Sequence, residues 1–271
     1  MGRAAPRGQW GGCVTAPRIF TAEYYARMRE LEAGSWWNAG MRDVAGELLH
    51  DAGLPSSGTV LDVGCGSGQT LTWFMNRFGA WRALGCDVSA EAAAAASQLG
   101  FEISQASALA LPYPTASVDV VISLDVLQHV PLDGGDETAL SEMRRVLKPG
   151  GWLFVRTNAQ SFPRSADDRE YQFHRYEPVE LQHKLQRAGF VVRRLSRLNA
   201  LLGLAEIPRE LRARRVQSSE YHGILATTNG HASWTSAAKR AWLRLEGAAV
   251  RRGVRLPAGR SIVAVCTTAN A

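Results

Sequence analysis

Residues 60–68 read Val-Leu-Asp-Val-Gly-Cys-Gly-Ser-Gly: an apolar run passes through Asp62 and enters a loop with glycine at 64, 66 and 68. A parallel strand that turns at once into a helix needs backbone with φ > 0 and no Cβ in the way of a ligand, and glycine supplies both. The stretch therefore predicts the first β-to-α turn of an α/β sheet, lying against a nucleotide-like ligand. A pyrophosphate-binding loop is spaced G-x-G-x-x-G. Here the third glycine comes one residue early and Gln69 takes the sixth position, so a dinucleotide fits poorly. A tight turn in any α/β domain would use similar residues, so other positions have to agree.

From residue 58 onward strand and helix signals alternate as in a doubly wound sheet. The pattern predicts strands over 60–63, 82–86, 101–105, 118–123, 152–157, 190–198 and 261–267, with helices over 69–78, from Ala90, over 137–147 and over 177–188. A Lys148-Pro149-Gly150-Gly151 turn leads into the fifth strand. Ahead of the sheet, residues 1–17 lack periodicity and read as a disordered tail, and residues 18–271 as a single domain. Thr21 is expected to cap a helix carrying Tyr24, Tyr25, Met28 and Leu31, and a second helix spans 41–52 before Gly53 and Pro55. Ser35-Trp36-Trp37 falls between them, and two adjacent tryptophans cannot both face one core from a regular helix, so one is open to line a ligand pocket.

Acids recur where such a sheet binds ligands, at the carboxyl ends of the strands. Asp87 closes the second strand about 20 residues beyond the glycine loop, where a carboxylate catches the ribose hydroxyls of an adenosine group. It could equally belong to the cap of the next helix, beside Ser89. Ser123, Leu124, Asp125 and His129 lie at the end of the fourth strand, facing the expected reaction centre. Residues 158–176 form a long polar loop on the same side, carrying Tyr171, His174, Arg175 and Tyr176.

The acid at 62 followed by G-x-G-x-G resembles the class I S-adenosylmethionine-dependent methyltransferases. Met28 to Glu32, Trp36-Trp37 with Arg42, the His174-Arg-Tyr176 loop and Leu256-Pro-Ala-Gly-Arg-Ser261 are similar to a bacterial group within it. The resemblance implies a Rossmann-like seven-stranded doubly wound sheet whose last strand is antiparallel beside the sixth. Residues 18–57 would then form an N-terminal helical cap, and the interval 199–259 a helical insertion serving as lid or substrate wall. It also implies S-adenosyl-L-methionine as cofactor, with Asp62 holding the methionine ammonium and the backbone of Gly64, Cys65, Gly66 and Gly68 packed against the methionine and ribose. Asp87 and Val88 would hold the ribose, with Ser107 and Ala108 beside the adenine, and Ser123, Leu124 and Trp37 completing the cofactor contacts. The family usually has an acid where this chain has Ser107, so the adenine contact lacks charge assistance.

Methyl transfer from a sulfonium is an in-line displacement, so alignment and exclusion of water come first and a base is optional. His174, His129 and Asp125 are the candidate bases, each with a bland alternative: a loop-pinning histidine, a structural histidine, a helix cap. No ligand spacing points to a metal, and four scattered cysteines read as neither a disulfide framework nor a zinc site. No apolar stretch approaches a membrane span and no secretion signal is apparent, so a cytoplasmic protein, monomer or homodimer, is expected. Of the net charge of +6, residues 190–271 carry +10, with 14 Lys and Arg against 4 acids. That basic end allows an RNA acceptor, or contact with an anionic membrane carrying a lipid-linked acceptor, through a helix over 237–252. On that helix Arg240, Arg244 and Arg251 are expected to form a solvated face opposite Trp242, Leu245 and Ala249. A small organic metabolite is the leading acceptor, methylated on O, N or C, with specialised metabolism as the expected setting. A cofactor-binding homologue without methylation remains a further alternative.

Overall fold

The computed structural model describes residues 35–269 apart from 132, 162–172, 202 and 204–233. The expected tail, the Thr21 helix with its Met28 to Glu32 segment, and Tyr171 lie outside the described residues. In chain order the elements are α1 (Trp36–Asp51), β1 (Gly58–Val63), α2 (Gln69–Phe78), β2 (Trp81–Asp87), α3 (Ala90–Ser97), β3 (Glu102–Gln105) and β4 (Val118–Leu124). A 3₁₀ turn (Leu127–His129) follows, then α4 (Gly135–Val146), β5 (Leu147–Asn158), α5 (Pro178–Arg187), β6 (Phe190–Leu198), α6 (Trp234–Arg251) and β7 (Ser261–Thr268).

The seven strands form one sheet in the order β3-β2-β1-β4-β5-β7-β6. β1 to β5 pair in parallel, whereas β7 runs antiparallel between β5 and β6. This is the expected doubly wound sheet with a reversed last strand. Because neighbouring side chains in a strand alternate between faces, the sheet feeds two cores. Leu61, Val63, Val121 and Val155 pack with α4, α5 and Tyr176 on one face. Val60, Ile122, Phe154 and Val263 pack with α1, α2 and α6 on the other.

Three local readings change. Ser35 is the N-cap of α1, its hydroxyl accepting from the Asn38 N–H at 3.2 Å, so Trp36 and Trp37 form the first helical turn instead of a linker. The Lys148-Pro-Gly-Gly segment is not a turn outside the strand but a bulged part of β5, which pairs Leu147 with Val118 and then Trp152 with Val120. Lastly, α6 packs its Leu243, Glu246, Gly247 and Val250 face toward α1, leaving Leu245 exposed and Trp242 partly so. Gly40 and Gly247 let these two helices approach: a Cβ on Gly40 would sit 2.8 Å from Leu243, and one on Gly247 2.8 Å from Val44. Arg240 and Arg251 do not form a free solvated face but reach Asp43 and Glu47 of α1, at 2.7 and 3.1 Å. The described part of the insertion is thus a layer of the fold. Glu246 ties it to the sheet, its carboxylate accepting from the backbone N–H groups of Asn199 (2.5 Å) and Ala200 (3.1 Å) where the chain leaves β6.

Candidate active site at the carboxyl ends of the strands

The glycine loop closes over the end of β2. Gly64 and Cys65 both donate to the Cys86 carbonyl, at 2.8 and 3.0 Å, and Gly66 N–H donates to Asp87 Oδ2 at 2.9 Å. Gly64, Gly66 and Gly68 have φ of +76°, +51° and +79°, the left-handed region in which a side chain is strained. Their surroundings differ. A Cβ on Gly64 would lie 2.3 Å from Val126, and one on Gly68 3.1 Å from Ala96, whereas one on Gly66 meets nothing within 4 Å. Gly64 and Gly68 serve packing, and Gly66 presents bare backbone to open space.

Asp62 is buried at the end of β1. Asp87 uses its second oxygen to accept from Ser89 N–H at 2.9 Å, so the carboxylate both shapes the loop and caps the turn into α3. Val88 is exposed beside it. Ser107 turns its hydroxyl to its own turn, accepting from Leu109 N–H at 3.2 Å, with Ala108 between them. Cys65 is a buried small side chain, and burial pushes its thiol well above the ordinary range, with Asp62 and Asp87 adding to that.

The end of β4 carries the rest. The Ser123 hydroxyl is fully buried with no hydrogen-bond partner among the described residues. After Leu124 the chain turns sharply at Asp125, whose φ is +58°. That carboxylate caps no helix. It pairs with Arg156 of β5, whose Nε donates to Asp125 Oδ1 at 3.1 Å, and the Arg156 guanidinium lies 4.6 Å from the Trp37 ring centroid. Arg156 is almost completely buried. Its signal in the sequence is a lone arginine in an otherwise apolar strand, and spacing gave it no role. Asp125 is thus the ion-pair partner of Arg156.

His129 ends the 3₁₀ turn with its ring edge-on to Phe173, 4.6 Å between centroids. The residue is exposed to solvent. It is nonetheless crowded by protein, and desolvation pushes the imidazole down to about 4 against a smaller upward pull from Asp125. With that value the ring is neutral at pH 7.

His174 is a strut. Its N–H donates to the Gln128 carbonyl at 3.2 Å, and its Nε2 lies 3.0 Å from Glu180 in the first turn of α5. Asp136, His174 and Glu180 bring ligand-type atoms within 4.8 Å of one another, a grouping no sequence spacing signalled. The Lys184 ammonium, 3.0 Å from Asp136, and the Tyr176 hydroxyl, also 3.0 Å away, already satisfy that carboxylate. A cavity of about 540 Å³ lined by Thr59, Arg82, Glu102, Ser104 and Tyr113 opens toward the amino ends of β1 to β3, away from the glycine loop.

Comparison with known proteins agrees with this arrangement. A family described as "Methyltransferase domain" matches residues 61–155, from β1 to β5. The chain is 36% identical over 102 residues to a tRNA (carboxymethyluridine(34)-5-O)-methyltransferase of Arabidopsis thaliana, covering 38% of this chain and 24% of that protein. It is 32% identical over 135 residues to trans-aconitate 2-methyltransferase of an Azoarcus species, covering 49% of this chain and 50% of that one. The chain therefore spans from about a quarter to a half of these relatives' lengths. Among solved structures, phosphoethanolamine N-methyltransferase 2 of Haemonchus contortus, in complex with S-adenosyl-L-methionine, shares the fold at a TM-score of 0.61 and 18% identity, covering 93% of this chain and 58% of that one. Residues 61–155, from β1 to β5, thus match a methyltransferase domain, and the seven-stranded sheet around them has the fold of S-adenosylmethionine-dependent methyltransferases.

Proposed function

We propose that this protein transfers a methyl group to a small organic acceptor bound at the carboxyl ends of β4 and β5. The observation that carries the reading is a solvent-reached His129, packed edge-on against Phe173 near Asp125, at the end of the sheet that also holds the glycine loop. Aromatic Trp37 and Phe173 stand over Arg156 and His129, which suits an enclosed organic molecule. The Azoarcus relative is by its name an enzyme of a small acid. The Arabidopsis relative, named for tRNA, aligns over only 38% of this chain and so bears on the shared domain more than on the acceptor.

The residues present fit the family's cofactor. The open face of Gly66, the buried Asp62 and the Asp87 carboxylate lie on adjacent strand ends, and a Cβ at 66 would intrude on that space. When bound there, S-adenosylmethionine supplies an electrophilic methyl on a positively charged sulfur. Asp62 would hold the ammonium and Asp87 the ribose. His129 accepts the acceptor's proton at a ring nitrogen, and the Asp125 carboxylate stabilises the resulting imidazolium. Arg156 holds Asp125 in position, and Trp37 covers Arg156 from water.

Calorimetry with S-adenosylmethionine and S-adenosylhomocysteine tests the premise; failure to bind either overturns it. A panel of hydroxyl, carboxyl and amine metabolites then identifies the acceptor. On an acceptor that must lose a proton, His129→Gln should lower turnover about 100-fold while leaving cofactor affinity unchanged. An unchanged rate removes His129 from the mechanism.

A further inference from the structure

Helix α6 is apolar on two opposite faces. Leu243 and Val250, 0% and 1% exposed, face α1. About half a turn around the helix, Ala238, Ala241, Trp242 and Leu245 are exposed, Leu245 keeping 63% of its surface and Trp242 37%. An amphipathic helix of a globular protein places charge at that position. The Trp242 indole is also fixed there, its Nε1 donating to the buried Glu246 carboxylate at 2.7 Å, so an aromatic ring is held outward with its one polar atom already satisfied.

The charge around this stripe has one sign. Residues 234–259 contain six Lys and Arg and a single acid, Glu246, which is turned inward. Arg240 and Arg251 are engaged with α1, which leaves Arg244, Arg252 and Arg255 exposed beside the stripe and Val254 extending it at 48% exposure.

We propose that the outer face of α6 docks on an anionic lipid surface. Tryptophan and leucine at the boundary between headgroups and acyl chains, rimmed by arginines that meet anionic headgroups, account for both halves of the pattern. A nucleic acid would use the arginines but not Leu245. The helix, about 27 Å long, would lie in the plane of the interface; no described helix is long and apolar enough to cross a membrane. The strand ends that carry the candidate active site would then be held near a surface, within reach of an acceptor that partitions into it.

Sedimentation of the full chain with vesicles decides the matter. Vesicles of phosphatidylcholine mixed with phosphatidylglycerol should capture the protein at low salt, with capture weakened by added salt, and phosphatidylcholine alone should not. Leu245→Glu should reduce the partition coefficient about tenfold or more, and Arg244→Glu about fivefold or more, with circular dichroism unchanged in both. No capture by anionic vesicles at low salt overturns the proposal, as does capture that both substitutions leave unchanged. Binding of RNA in place of vesicles, or a dimer that Leu245→Glu dissociates, would assign the face to another partner and likewise overturn it. Cofactor binding by the same preparation separates failure of this surface from failure of the methyltransferase reading.

Discussion

At Gly64 and Gly66 one substitution has two different expected outcomes. Gly64→Ala drives a Cβ to 2.3 Å from Val126 in addition to its left-handed strain, so the fold itself should lose about 2 kcal/mol or more. Gly66→Ala carries only the strain, about 1 kcal/mol, because nothing lies within 4 Å of its Cβ. That same open space is the proposed cofactor side, so Gly66→Ala should abolish S-adenosylmethionine binding in a protein that still folds. Urea denaturation and calorimetry on both variants check the pair, and equal stability losses would show that the loop is not divided in this way. The glycine spacing was legible because backbone chemistry leaves few alternatives at such a turn. Arg156 was not, since its partner Asp125 is 31 residues away and only strand register brings them together.

Among the elements, β4 was readable as an apolar run buried on both faces, while α6 was read with the wrong face inward. Helical spacing offers two apolar stripes, Trp242 with Leu245 and Leu243 with Val250, and periodicity alone has no means of choosing between them. The choice comes from the contact with α1, where Gly40 of α1 and Gly247 of α6 allow close approach along the second stripe. Leu243→Ala should therefore cost about 3 kcal/mol as a buried cavity, whereas Leu245→Ala should stay within about 0.5 kcal/mol. Denaturant midpoints with unchanged slopes measure both, and similar losses would contradict the packing. The start of α1 escaped notice for a related reason. A serine before two bulky aromatics looks like a linker until its hydroxyl is seen to accept from Asn38 N–H.

For the whole molecule, the desolvated His129 couples stability to acid. Its ordinary value of 6.5 applies in the unfolded chain, and the folded value is about 4. Between those limits the unfolded state binds the proton and the native state does not, so this residue's contribution falls as pH drops from about 6.5 toward 4. His129→Gln should lose less stability than the parent protein across that window, and parallel curves would refute the coupling. The sheet topology has a further consequence for synthesis. β7 lies between β5 and β6, yet it is the last strand of the sheet to leave the ribosome. Until residues 261–268 emerge, β6 has no strand of the sheet to pair with and one edge of β5 stays open. The nascent chain thus carries two exposed edges late into translation, and its folding is committed by its final strand.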